Sequence, residues 1–111
     1  MTSIQVGNNL GYRIVCEGDG QAPISDAYVG DLLSDVMGNA AGDSVLITIQ
    51  AHKNTVAVAS LVGIHAIVLC NSRHAGEDMI QAAASNGIAI WETDATQFEA
   101  ACAIAKLIGR L

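Results

Sequence analysis

Positive charge is scarce in this chain. It holds five lysines and arginines, no two of them adjacent, against eleven acidic residues, for a net charge of −6. Binding a phosphate backbone takes clustered cations, and no basic residues interleave with Trp91, Tyr12, Tyr28 or Phe98. Nucleic acid is therefore not expected as a partner. Cysteine is sparse as well: Cys16, Cys70 and Cys102 are odd in number and far apart. No C-x-x-C or Cys/His spacing offers a zinc or iron–sulfur site, so no metal and no cofactor is expected. Such cysteines read as reduced thiols of a cytoplasmic protein rather than a disulfide framework. No apolar run approaches the ~20 residues that cross a bilayer. The opening "MTSIQVGNNLGYR" lacks a basic segment followed by a long apolar stretch, so neither a signal peptide nor a membrane anchor is expected.

What the chain has in abundance is apolar side chains. Hydrophobic residues make up 51% of its 111 positions and charged residues 14%, where an average soluble domain carries about 25% charge. The length fits one domain, residues 1–111, with a core of its own. The shortage of charge implies apolar surface buried against another subunit, and a homodimer is the expected form.

From residue 43 onward, strands and helices alternate. "SVLITI" (44–49) is a continuous β-branched run, as a strand buried on both faces requires. Asn54 is placed to cap a short helix running to about Leu61, with Gly63 ending it in a left-handed turn. "HAIVLC" (65–70) is a second buried strand. Glu77 and Asp78 then stand on the first turn of a helix with Met79, Ile80, Ala83 and Ala84 on one face, stopped by Gly87. "IAIW" (88–91) is a third strand. Asp94, with Gln97 three residues on, reads as the cap of the last helix. Phe98, Ala101, Cys102, Ala105 and Ile108 recur there at helical spacing and are expected to face the sheet.

The N-terminal part is less regular. "GYRIVC" (11–16) and "ISDAYV" (24–29) read as strands separated by the turn "EGDG". "GDLLSDVMGNA" (30–40) reads as an amphipathic helix with Leu32, Leu33, Val36, Met37 and Ala40 on its apolar face. The first 23 residues carry only a short pattern interrupted by glycine. The expected architecture is a three-layer α/β/α domain around a largely parallel sheet.

In such a sheet, ligands sit beyond the carboxyl ends of the strands. Three loops leave those ends: Gln50-Ala51-His52-Lys53-Asn54, Asn71-Ser72-Arg73-His74, and Glu92-Thr93. If the strands are neighbours, the loops gather two of the three histidines, two cations and two asparagines on one edge. Backbone N–H groups at the helix starts near Asn54 and Gly76 add donors. Gln50, His52, Lys53, Asn54, Asn71 and Arg73 are thus candidate ligands for a small phosphate- or carboxylate-bearing molecule. The same loops also read as plain strand-to-helix turns. Asp31 and Asp35, one helical turn apart, are reserve candidates. As a Mg²⁺ pair they would want a substrate phosphate too, and a solvated helix face explains them better.

Catalytic patterns are missing. There is no G-x-S-x-G elbow and no G-x-x-x-x-G-K-[ST] loop, and "GNNLG" and "GDG" lack a helix-opening fingerprint. Cys70 ends a buried strand, so it reads as a structural thiol rather than a nucleophile paired with His74. His65 opens an apolar strand and reads as a core or edge histidine. No nucleophile, base and orienter assemble, and the chain is not expected to be an enzyme.

Taken as one stretch, residues 24 to 107 resemble the DRTGG domain family, above all "GDLLSDVM" (30–37), "ITIQAHKNTVAVA" (47–59) and "TDATQFEAA" (93–101). The resemblance is to stand-alone DRTGG proteins encoded near iron-only hydrogenase and redox-sensing genes in anaerobic bacteria. It implies a fold similar to the N-terminal domains of HPr kinase/phosphorylase and the Mur ligases. It also implies a dimerising regulatory module that senses a small ligand, with an adenine nucleotide among the candidates, or engages a redox or hydrogenase partner protein. The segment matching the family's name reads "ISDAYVGD" (24–31). It keeps Asp26 and Gly30 but not the arginine. Two alternatives stand beside the sensor: a structural assembly or docking protein for a hydrogenase or redox complex, and a small enzyme on a phosphorylated metabolite with His52 or His74 as general base.

Overall fold

The computed structural model describes all of residues 1–111. In chain order the elements are α1 (Ser3–Leu10), β1 (Arg13–Cys16), β2 (Asp26–Val29), α2 (Leu33–Asn39), β3 (Ser44–Thr48), α3 (Lys53–Val62), β4 (Ile64–Leu69), α4 (Glu77–Ser85), β5 (Ala89–Glu92) and α5 (Gln97–Leu107). They form a five-stranded sheet in the order β1-β5-β4-β3-β2. β2, β3, β4 and β5 run parallel, and β1 closes one edge antiparallel to β5.

Two apolar layers sandwich the sheet, because alternate side chains of a strand point to opposite faces. Leu46, Ile67, Leu69 and Ile90 face one way, onto Val36 of α2, Val56 and Ala59 of α3, and Met79 and Ala83 of α4. Val45, Ile47, Val68 and Trp91 face the other way, onto Val6 of α1 and Ala100 and Ile104 of α5. The fold is therefore the expected three-layer α/β/α domain. Every residue of β3 is buried, as its unbroken apolar run demands.

One element escaped the sequence pattern. α1 is capped by Thr2, whose side chain accepts from the Gln5 amide while the Gln5 side chain accepts from the Thr2 amide. Gly11, at φ 71°, ends it. Thr2 and Gln5 in fact spell a capping box. Gly7 lets this helix lie on Trp91: a Cβ there would stand 3.0 Å from the indole.

Gly63 and Gly87 terminate α3 and α4 with positive φ, as their positions imply. Five local readings need correction. α3 is capped by His52, whose Nδ1 accepts from the Asn54 amide at 3.1 Å, and not by Asn54. α5 is capped by Thr96 in a reciprocal box with Glu99, and not by Asp94 with Gln97. Asp94 is drawn back instead, accepting from the Ser72 hydroxyl at 2.6 Å. The amides of Asn71 and Ser72 bond the carbonyls of Ala95 and Thr93, which delays the helix.

That delay leaves α5 turned differently from its apolar spacing. Ala100 and Ile104 meet the sheet, with Ala101 and Ile108 half-buried beside them as expected, while Phe98 is 78% exposed and Cys102 is exposed too. On α2, only Val36 is buried, and Leu32 and Met37 lie in solvent. Asp31 precedes α2 altogether, so Asp31 and Asp35 do not share a helical face.

Candidate functional site

The neighbouring carboxyl ends of β3, β4 and β5 do bring the three loops to one edge of the sheet. They serve different purposes there. After β3, hydrogen bonds tie the turn down. Thr48 Oγ1 accepts from the Gln50 amide at 3.2 Å and donates to Asp31 Oδ1 at 2.9 Å. Thr55 Oγ1 donates to the Gln50 carbonyl at 2.7 Å. Both threonines are fully buried. The side chains of Gln50, His52, Lys53 and Asn54 are exposed beside this knot and line no cleft.

Asp31 is a structural hub. Its Oδ1 also accepts from the Ile49 amide and from Gln97 Nε2, each at 3.0 Å, so it binds the loop before α2 to β3 and to the first residue of α5. Its charge, second to burial, helps push the Cys70 thiol up to about 11. Cys70 is wholly buried and shares no hydrogen bond with His74, whose Nδ1 is held by Glu92, so the structural reading of this thiol fits its surroundings. Asp35 stands apart on α2, accepting from the Tyr28 hydroxyl at 2.6 Å and from Asn39. That bond holds the Tyr28 hydroxyl above its ordinary range. Neither aspartate belongs to a metal cluster; no group of three or more potential ligands occurs in the protein.

The concave part of this edge lies further along, where β1 joins β5. A cleft of about 340 Å³ opens there among Arg13, Ser72, Arg73, His74, Glu92, Thr93 and Asp94, floored in part by Tyr12. Each element brings its share. Arg13 begins β1 directly across from Glu92 on β5. Arg73 and His74 follow β4 on a loop in which Asn71 and Ser72 both hold left-handed backbone, φ 57° and 61°. Two consecutive non-glycine residues in that region are unusual, and the bonds to Thr93 and Ala95 hold them there.

Glu92 is the centre of the wall. It is 6% exposed, and a buried carboxylate is tolerable only with partners. Oε1 meets His74 Nδ1 at 2.9 Å and Oε2 accepts from the Ala75 amide at 2.8 Å. An ionised carboxylate accepts only, so this contact places a proton on Nδ1 of His74. A neutral His74 therefore has its Nε2 lone pair free, on a ring that is 70% exposed. The other carboxylate, Asp94, is engaged by Ser72. Arg13 and Arg73, by contrast, form no ion pair, whereas Arg110 does with Asp26 at 3.0 Å.

Of the six candidate ligands, Arg73 alone lines the cleft, joined by His74, the candidate base of the enzyme alternative; Asn71 sets the backbone of its loop, and Gln50, His52, Lys53 and Asn54 lie outside. Arg13 and Glu92 complete it. A polar residue ending an apolar strand, as Glu92 does after "IAIW", is the signal that pointed to one of them. Arg13 carried none, because its place depends on which edge β1 joins. His65, at the opposite end of β4, is half-buried and pairs with Asp43 at 2.7 Å, an edge histidine as expected. No protein-family model matches the chain, and no curated protein matches it either. No helix is long and apolar enough to cross a membrane.

Proposed function

We propose that this chain is a ligand-sensing module, working as a homodimer, that binds a small phosphorylated or carboxylated metabolite in the cleft between β1, β5 and the loop after β4. One observation carries this reading: two of only five cationic side chains converge on one concave site while its carboxylates are occupied by internal partners. Arginine is suited to such a role, since its planar fork meets carboxylate or phosphate oxygens in pairs. Tyr12 is the only large apolar body in the lining, and the volume sits at the lower end of ligand sites. Both features favour a small polar anion over an adenine nucleotide, whose base needs an apolar slot.

The test is thermal unfolding against inorganic phosphate, pyrophosphate, small dicarboxylates, sugar phosphates and AMP. A ligand that binds only the folded state stabilises it by about 2.7 kcal/mol at a hundredfold excess over Kd. The expected result is a shift that disappears in the Arg13→Ala, Arg73→Ala double variant and survives Lys53→Ala. A shift that survives the double variant, or none with any compound, refutes the site.

A second reading has its own support. A histidine held by a buried carboxylate, with its far nitrogen open, is the arrangement of a general base, so a small enzyme on the same anion is the alternative. Turnover lost in His74→Gln with binding retained would establish it.

A further inference from the structure

The stripe Phe98, Ala101, Cys102 and Ala105 has the i, i+3, i+4, i+7 spacing of a helix face that packs on something. Only part of it packs on this chain: Ala101 and Ala105 are half-buried, Ala101 against the core, while Phe98 and Cys102 stand in solvent. Ala100 and Ile104 occupy the sheet-facing side of α5 and are fully buried. Phe98 is 78% exposed, an expensive position for a phenyl ring in water.

Beside the stripe lies a groove of about 180 Å³ between α5 and β2, lined by Ala27, Val29, Ile47, Ala101, Ala105 and Ile108, with Asp26 and Arg110 at its rim. Cavities of about 150 Å³ accept a benzene ring. The same helix thus carries a projecting aromatic ring and, a turn further on, a recess of the size such a ring fills. A surface with both knob and hole is self-complementary, which is what a two-fold contact requires.

We propose that two copies of this chain associate through α5, packed antiparallel, with Phe98 of each seated in the groove between α5 and β2 of the other. Only the identity of the partner rests on the homodimer reading above; the face is argued from the surface itself. Charge fits the antiparallel sense. Glu99 stands in the first turn of α5 and Lys106 in its last, seven residues apart and so on one flank. Antiparallel pairing sets each Glu99 beside Lys106 of the other copy, whereas parallel pairing puts the charged flanks of the two copies on opposite sides of the contact, where they do not meet. Ala101 and Ala105 let the backbones approach, and the two-fold axis passes close to Cys102.

Strand addition at the neighbouring edge is closed off. The Ala27 amide of β2 donates to Asp26 Oδ1 at 2.8 Å, and Arg110 caps the Ser25 carbonyl. A guarded edge strand of this kind does not accept another strand. The contact is therefore made by side chains.

Light scattering on the eluting protein tests the face, with Phe98→Glu as the variant and Leu61→Glu, 75% exposed on α3 in the opposite layer, as control. The expected result is a dimer for the unmodified chain and for Leu61→Glu, and a monomer with an intact melting transition for Phe98→Glu. A Phe98→Glu dimer overturns the face and leaves self-association standing. A monomeric unmodified chain overturns both. Copper–phenanthroline oxidation of the unmodified protein supplies a readout independent of any variant's folding. A Cys102 disulfide needs the two Cα atoms within about 7 Å. The expected covalent dimer, lost in Cys102→Ser, supports the antiparallel crossing, and its absence from a dimeric protein overturns that crossing.

Discussion

Two replacements at Glu92 separate what its carboxylate does for the fold from what it does for His74. In Glu92→Gln the Ala75 amide keeps an oxygen to donate to. The side-chain NH₂ now faces His74 Nδ1, so that bond survives only by reversing: Nδ1 becomes the acceptor and the ring proton moves to Nε2. Charge-assisted hydrogen bonds are roughly twice as strong as neutral ones, which net about 1 kcal/mol. With the imidazole 70% exposed, the expected loss is at most about 1 kcal/mol. Glu92→Ala instead strands the Ala75 amide, which costs about 1–3 kcal/mol for an unpaired donor, and removes the packed Cγ methylene besides. The expected loss there is about 3 kcal/mol. Urea unfolding followed by Trp91, the chain's single tryptophan and 2% exposed, measures both. ¹⁵N spectra of the imidazole read the tautomer, with the proton on Nδ1 in the unmodified protein and on Nε2 in Glu92→Gln. Equal stability losses in the two variants, or an unmodified His74 protonated on Nε2, would refute the assignment of Glu92 as orienter.

Two further outcomes follow from the backbone and the buried thiol. Gly18 and Gly11 both have positive φ, 60° and 71°, yet a Cβ on Gly18 would lie 2.5 Å from the Ala89 amide nitrogen while one on Gly11 meets nothing within 4 Å. Left-handed strain costs each alanine about 1–2 kcal/mol, so Gly11→Ala should lose about that much. Gly18→Ala should lose at least about 3 kcal/mol, read as the urea midpoint at constant slope; similar losses would count against the contact. Burial and then Asp31 raise the Cys70 thiol from 9.0 to about 11. A raised folded pKa stabilises fully below the unfolded value and loses that stabilisation as pH rises through the folded one. Stability should therefore decline between pH 9.0 and about 11, less steeply in Cys70→Ala, with Tyr12, also raised chiefly by burial, keeping part of the slope. In the native protein at pH 8, iodoacetamide should spare Cys70, which is wholly buried.

Signals that act within one element were readable from the chain, and those that depend on a second element were not. The unbroken apolar runs of β3 and β4 announced strands buried on both faces, and Gly63 and Gly87 announced helix ends, because each is a local demand on the backbone. The capping boxes at Thr2/Gln5 and Thr96/Glu99 were just as local. The first went unread because a glycine interrupts its helix at Gly7, and only the indole of Trp91, eighty-four residues away in sequence, explains why a glycine stands there. The second lost to Asp94, whose side chain would have served as a cap had Ser72 not taken it.

Asp31 and Arg13 mark the boundary most sharply. Asp31 looked like half of an acidic pair on a helix, since a helical period through residues 30 to 40 puts it one turn from Asp35. Its partners are the end of β3 and the start of α5, and a carboxylate offered three donors by two distant segments does not remain on a solvated helix face. The helix accordingly begins two residues later. Arg13 looked like an ordinary strand residue. It reaches the cleft because β1 pairs antiparallel with β5 rather than extending the parallel sheet beside β2, and periodicity holds no information about that choice. The cleft thus forms where the one antiparallel strand meets the end of the parallel set, with one wall built by local polar residues after β4 and β5. The other wall comes from a strand that enters from the far end of the chain.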